Sequence, residues 1–104
     1  MFGMGKRIDV TEVTKEMSEG KALLVDVRGD GEWSGGHAKG AMHLSLDRIV
    51  RGELPTKDLS QKLYLYCASG GRSSTAASHL KKKGFSVENI GGLSSWQSAG
   101  GAIE

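Results

Sequence analysis

The sequence has few of the residues that hold small exported domains together or bind metals. Its 104 residues include one cysteine, one proline and three histidines. A lone cysteine cannot form an internal disulfide, and with three scattered histidines it makes a poor structural zinc site. We therefore expect a domain without internal disulfides, without a metal or other cofactor, and with the reducing cytoplasm as its compartment.

Long apolar runs and a strong charge of one sign are also missing. No apolar stretch reaches the roughly 18 residues that a membrane span needs, and no secretory leader is visible at the N-terminus. A net charge of +2 with 25% charged residues is too mild to indicate nucleic acid or an acidic membrane as a partner. The length fits one compact domain over residues 6–104, preceded by a flexible N-terminal segment of residues 1–5, and we expect a monomer.

The hydrophobic pattern alternates between strand and helix periods along the whole chain. It predicts strands at 7–10, 22–27, 41–45, 62–66 and 86–89. It predicts helices beginning near Thr11, Leu46, Ser73 and Leu93, one helical turn within 28–41, and a turn at Gly91 and Gly92. Without an Asn-Gly hairpin signal, this order favours an α/β fold with a central, mainly parallel five-stranded sheet and helices on both faces.

The only cysteine lies at the junction of a strand and a helix. The strand pattern ends directly before Cys67, at the edge where open parallel sheets bind ligands. The first turn of the following helix presents backbone NH groups that stabilise an anion such as a thiolate. Gly70 and Gly71 let successive NH groups point at one centre. Arg72 adds a positive charge, and Ser73 can cap the helix.

Three blocks of the chain have the order and spacing of a known family. They are Val25-Asp26-Val27-Arg28 with Glu32-Trp33 and Gly36-His37-Ala38-Lys39-Gly40-Ala41; Tyr66-Cys67-Ala68-Ser69-Gly70-Gly71-Arg72-Ser73; and Gly91-Gly92-Leu93 with Trp96. In these blocks the chain resembles the single-domain rhodaneses, a family of sulfurtransferases with an α/β fold. The resemblance covers almost the whole chain.

The resemblance implies a persulfide mechanism. In such enzymes the loop cysteine, here Cys67, takes the outer sulfur of thiosulfate or a related anionic donor. It passes that sulfur, in ping-pong order, to cyanide or to a thiol, which can belong to a thioredoxin-like protein. Arg72 and the Ser73 hydroxyl would hold the donor. The NH groups expected around the persulfide belong to Ala68, Ser69, Gly70, Gly71 and Arg72.

Three residues outside the cysteine loop are expected to support it. Asp26 and Arg28 should form an ion pair or hydrogen bonds that fix loops near the site. His37 could be taken for a base, but an ionised thiolate needs none, so we expect it to form hydrogen bonds. The chain departs from the family pattern at one position that bears on the sulfur donor. Thiosulfate-using relatives often carry a basic residue directly after the cysteine, where this chain has Ala68.

Two other functions stay open at the level of sequence. A phosphatase or arsenate reductase also begins its anion-binding loop with a cysteine, but its loop has one residue more than the four between Cys67 and Arg72. A module that carries sulfur to a protein partner, or serves only for docking, would share the fold. Docking modules usually lack the cysteine.

Overall fold

The structure is a computed structural model that describes residues 8–104. Its four strands are β1 (Ala22–Asp26), β2 (Met42–His43), β3 (Lys62–Cys67) and β4 (Val87–Gly92). They form one parallel sheet in the order β2-β1-β3-β4. β3 therefore lies inside the sheet, and its last residue is the only cysteine.

Helices cover both faces of this sheet. They are α1 (Val10–Ser18), α2 (Asp30–Ser34), α3 (Leu46–Val50), α4 (Gly71–Lys82) and α5 (Leu93–Ser98). Successive residues of β3 point to opposite faces, as the pleat requires. Leu63, Leu65 and Cys67 pack with α3 and α4, whereas Tyr64 and Tyr66 pack with α1 and α5. The parallel α/β arrangement predicted from the pattern is confirmed.

The prediction of five strands is wrong, because the described residues form four. The missing strand is the one expected at 7–10. Its first residue, Arg7, lies outside the described residues, as does the segment 1–5 that we expected to be flexible. Asp9 instead caps α1, since its Oδ1 accepts the Glu12 NH at 3.0 Å and Val10 begins the helix. The backbone of this capping aspartate is extended, which is why the pattern resembles a strand at this point.

Two boundaries near the cysteine also differ from the prediction. α4 begins at Gly71, and its N-cap is Gly70 with a φ of 102°, so Ser73 is a buried residue inside the helix rather than its cap. Gly91 and Gly92 belong to the end of β4 rather than to a turn, and Gly92 pairs with Cys67. Among residues 8–104, no helix is long and apolar enough to cross a membrane.

Candidate active site

Cys67 lies at the carboxyl end of β3, beneath the loop that connects β3 to α4. The residue is 1% exposed. Its Sγ accepts a hydrogen bond from the Gly70 backbone NH at 3.0 Å, and the Ser73 hydroxyl lies 3.4 Å away. An inert core cysteine would also be buried, but these polar contacts to the sulfur distinguish this one.

These contacts lower the pKa of the Cys67 thiol. Burial by itself raises this pKa, because it disfavours the charged form. The Ser73 hydroxyl and the backbone NH groups of Ser73, Ser69 and Gly70 outweigh burial, and the pKa falls from 9.0 to about 7. A large fraction of the thiol is then ionised at neutral pH, and the thiolate is the form that attacks electrophilic sulfur.

The remaining residues of the loop surround this sulfur in different ways. Ala68 and Ser69 are exposed above Cys67, which leaves the rim of the loop open to solvent. Gly70 takes the left-handed conformation that turns its NH toward the sulfur. Gly71 then begins α4. The first turn of that helix thus brings its free NH groups close to Cys67.

The end of β4 supports the loop from the side. A Cβ added at Gly92 would overlap the carbonyl group of Ala68, and one added at Gly70 would lie 3.5 Å from the Cα of Gly91. Backbone therefore packs directly on backbone, which requires glycine at 92, and Gly91 has a φ of 90°, a conformation that favours glycine. A glycine pair predicts a turn on sequence alone, and its contact with the cysteine loop depends on the pairing of β4 with β3.

Asn89, on β4, is a further residue of the site that the sequence analysis did not single out. Its Oδ1 accepts hydrogen bonds from the Ser73 hydroxyl at 2.7 Å and the Gly91 NH at 2.9 Å, and its Nδ2 donates to the Gly70 carbonyl at 3.0 Å. Since the Ser73 hydroxyl has one proton, the Asn89 oxygen, the Gly70 carbonyl and the Cys67 sulfur are alternative acceptors for it. No motif in the sequence marks this asparagine.

Asp26 and Arg28 form a buried ion pair next to the site. The Arg28 Nη2 lies 2.7 Å from Asp26 Oδ2, and the side chains are 8% and 0% exposed. Arg28 Nε and its backbone NH also donate to Asp26, and Arg28 Nη2 donates to the Gly36 carbonyl at 2.7 Å. The hydrogen bonds to Asp26 raise the pKa of Arg28. The pair thereby joins the end of β1 to the loop after α2.

Arg72 forms a second pair, with Glu32 of α2. Its two terminal nitrogens donate to the two carboxylate oxygens of Glu32 at 2.7 and 2.8 Å. Glu32 also accepts the Gly29 NH at 3.1 Å. The Arg72 hydrogen bonds, followed by that of Gly29, lower the pKa of Glu32 to about 2. Arg72 was expected to face an anionic donor, and its guanidinium instead contacts a carboxylate of the protein.

His37 lies beside α2 and not at the sulfur. Its ring stacks on Trp33 with centroids 3.5 Å apart, and its Nδ1 is 3.0 Å from the Trp33 carbonyl oxygen. His43 also stacks on Trp33, at 5.0 Å. These contacts fix the short helix that carries Glu32. Within residues 8–104, no group of three or more His, Cys, Asp or Glu side chains could hold a metal ion.

In this domain a central strand of a parallel sheet ends in a cysteine, and backbone NH groups of the following loop stabilise its thiolate. This arrangement defines the class of α/β domains with an anion-stabilising cysteine loop. The model of the Rhodanese-like domain family matches residues 9–99 of this chain. The chain therefore belongs to the rhodanese-like domain family, as the motifs had indicated.

Individual proteins show the same likeness. The uncharacterized protein YqhL of Bacillus subtilis (strain 168) is 36% identical over 105 residues, which cover 95% of this chain and 79% of that protein. The crystal structure of the Alr3790 protein from Anabaena sp. is similar with a TM-score of 0.77 and 28% identity, over 93% of this chain and 79% of that chain. A rhodanese-related protein from Thermoplasma volcanium has a TM-score of 0.76 at 21% identity, over 96% and 98% of the two chains, which shows the fold alone.

Proposed function

We propose that this protein is a sulfurtransferase that carries sulfane sulfur as a persulfide on Cys67. The main support is the environment of the Cys67 sulfur. The sulfur accepts a hydrogen bond from the Gly70 NH at 3.0 Å, and the thiol has a pKa of about 7. Membership of the rhodanese-like family agrees with this chemistry. Because the lone cysteine must stay reduced to act, we also propose the cytoplasm as its compartment.

The reaction consists of two displacements at sulfur. The Cys67 thiolate attacks the outer sulfur of the donor, a sulfur–sulfur bond forms at Cys67, and the donor's own sulfur–sulfur bond breaks. With thiosulfate, sulfite leaves with the bonding electron pair, and the new terminal sulfur carries the negative charge. Cyanide or a thiolate then attacks that terminal sulfur, which regenerates the Cys67 thiolate and releases thiocyanate or a new persulfide. The NH donors of the loop would stabilise the anionic sulfur in both steps.

Mass spectrometry after incubation with a sulfane donor tests this proposal. We expect an adduct of about 32 Da, the mass of one sulfur atom, on the single cysteine. Cyanide should remove the adduct, and Cys67→Ser should form none while unfolding at a similar temperature. Transfer by Cys67→Ser would exclude the covalent intermediate. Phosphate-ester hydrolysis without any adduct would favour the phosphatase function.

The pH dependence of adduct formation provides a second measurement. The reactive thiolate predominates above its pKa of about 7, so the rate should rise with pH through that value and then level off. Ser73→Ala removes the hydroxyl that lowers this pKa and should move the midpoint to higher pH. An unchanged midpoint in Ser73→Ala would show that the Ser73 hydroxyl donates to the Asn89 oxygen or the Gly70 carbonyl rather than to the sulfur.

A sulfur carrier that serves a protein partner would use the same first displacement. The near-complete burial of Cys67 favours small donors and thin protein segments over bulky reagents. Three results together would identify the carrier function: fast formation of the persulfide adduct, slow transfer of its sulfur to cyanide, and fast transfer of its sulfur to a thioredoxin-like protein.

A further inference from the structure

Four charged side chains beside Cys67 form a group that we call the charge quartet: Asp26, Arg28, Glu32 and Arg72. Asp26 pairs with Arg28, and Glu32 pairs with Arg72, each at 2.7 Å. Two positive and two negative charges sum to zero. The quartet also lies near the nucleophile. Asp26 is paired in the sheet with Tyr66, the residue before Cys67. Arg72 is the second residue of α4, the helix whose N-cap, Gly70, donates its NH to the Cys67 sulfur.

Glu32 holds Arg72 in a fixed and accessible position. The two carboxylate oxygens occupy both terminal nitrogens of the guanidinium, and the Gly29 NH orients the carboxylate. The side chains of Arg72 and Glu32 are 39% and 40% exposed. An anion arriving at the loop therefore meets a neutral ion pair rather than a free cation. Ala68, the residue next to the cysteine, adds no charge of its own.

We propose that Glu32 is a specificity-determining residue of the sulfur-transfer site. By neutralising Arg72, it disfavours dianionic donors such as thiosulfate and favours sulfane donors with a single charge at the reacting end, such as thiosulfonates and persulfides. The inference rests on the proposed function. It assigns the substrate class of that site from the pairing of Arg72.

A pair of donors that differ in charge but not in shape isolates this effect. Methanethiosulfonate has the sulfonyl geometry of thiosulfate, with a methyl group in place of one oxygen anion. The Cys67 thiolate would take its outer sulfur, and methanesulfinate would leave with the electron pair, as sulfite does from thiosulfate. The ratio of kcat/KM for thiosulfate to kcat/KM for methanethiosulfonate therefore reports how the site responds to one extra negative charge.

Glu32→Gln is the informative variant, because glutamine can still accept the Gly29 NH and still offers Arg72 one oxygen. It leaves the quartet with one net positive charge. We expect the donor ratio to rise on the order of fivefold, since the extra charge of thiosulfate is now attracted. The rise should shrink at high ionic strength, where exposed charges are screened.

Glu53→Gln is the matched control. Glu53 forms a similar bidentate pair with Arg48, at 2.7 and 3.1 Å, between partly exposed side chains. The same change of charge should leave the donor ratio as in the natural protein. A ratio in Glu32→Gln equal to that of the control, or an equal change with both donors, would overturn the inference while leaving the proposed function intact. If neither donor formed an adduct in the natural protein, the proposed function and the inference would both fall.

Discussion

The two ion pairs near Cys67 use the same chemistry in different surroundings. In the first, Asp26 and Arg28 are 0% and 8% exposed and two residues apart in the chain. In the second, Glu32 and Arg72 are about 40% exposed and join α2 to α4. Both place a guanidinium nitrogen 2.7 Å from a carboxylate oxygen. The distance alone therefore says little about what each pair does.

Burial separates their roles. Removing one partner of a buried pair leaves an uncompensated charge in a medium that solvates it poorly, so such a pair acts mainly on folding. Water and salt solvate an exposed pair, which contributes little to folding but still sets the local charge that a ligand meets. We therefore expect Asp26 and Arg28 to determine stability, and Glu32 and Arg72 to determine donor preference.

The largest effect is expected from Asp26→Asn. This change preserves the shape of the side chain but leaves Arg28 without its counterion, and it should lower the free energy of unfolding by about 3–5 kcal/mol. For a domain of this size, the melting temperature should fall by more than about 10 °C. Denaturant unfolding of Asp26→Asn and Glu32→Gln side by side provides the measurement. Equal losses in the two variants would contradict the distinction between the pairs.

Arg72→Ala should mainly affect the donor. The change leaves Glu32 as an unpaired negative charge near the loop, so kcat/KM for thiosulfate should fall on the order of fivefold. The release of sulfur to cyanide should change less, because cyanide carries a single charge. Steady-state kinetics with both substrates would measure this difference.

The double variant Arg72→Ala with Glu32→Gln shows whether charge explains the loss. It restores a neutral quartet, so the activity with thiosulfate should return most of the way to that of the natural protein. A double variant as slow as Arg72→Ala would show instead that Arg72 binds the donor directly.

The smallest effect is expected from the titration of Glu32. Its pKa is lowered from 4.5 to about 2, first by the Arg72 hydrogen bonds, so its ionised form favours the folded state. This contribution is complete above pH 4.5 and is lost as the pH falls through about 2. Because the pair is exposed, it should be no more than about 1 kcal/mol. Unfolding curves of the natural protein and Glu32→Gln should converge over this range, and a difference that grows on acidification would contradict the assignment.

Sequence reasoning was most successful where the determining forces act between neighbours. The strand that leads to Cys67, the presence of a helix after its loop and the alternation of strands and helices follow from local periodicity and glycine placement, although α4 begins at Gly71 rather than near Ser73. The error at 7–10 is also local, since a capping aspartate resembles the start of a strand when its hydrogen bond to Glu12 is unknown. The same reasoning could not show that Ser73 is buried inside α4.

By itself, the sequence indicated the candidate nucleophile, the length of its loop, the α/β pattern and the family to which the chain belongs. The tertiary structure decided three contacts: the ion pair of Glu32 with Arg72, the hydrogen bond of the Ser73 hydroxyl to Asn89, and the packing of Gly92 against Ala68. The physical reason is the strand order, which places β1 and β4 on either side of β3 and so brings together groups far apart in the chain. Local propensities carry no information about such contacts, because packing of the whole sheet selects them.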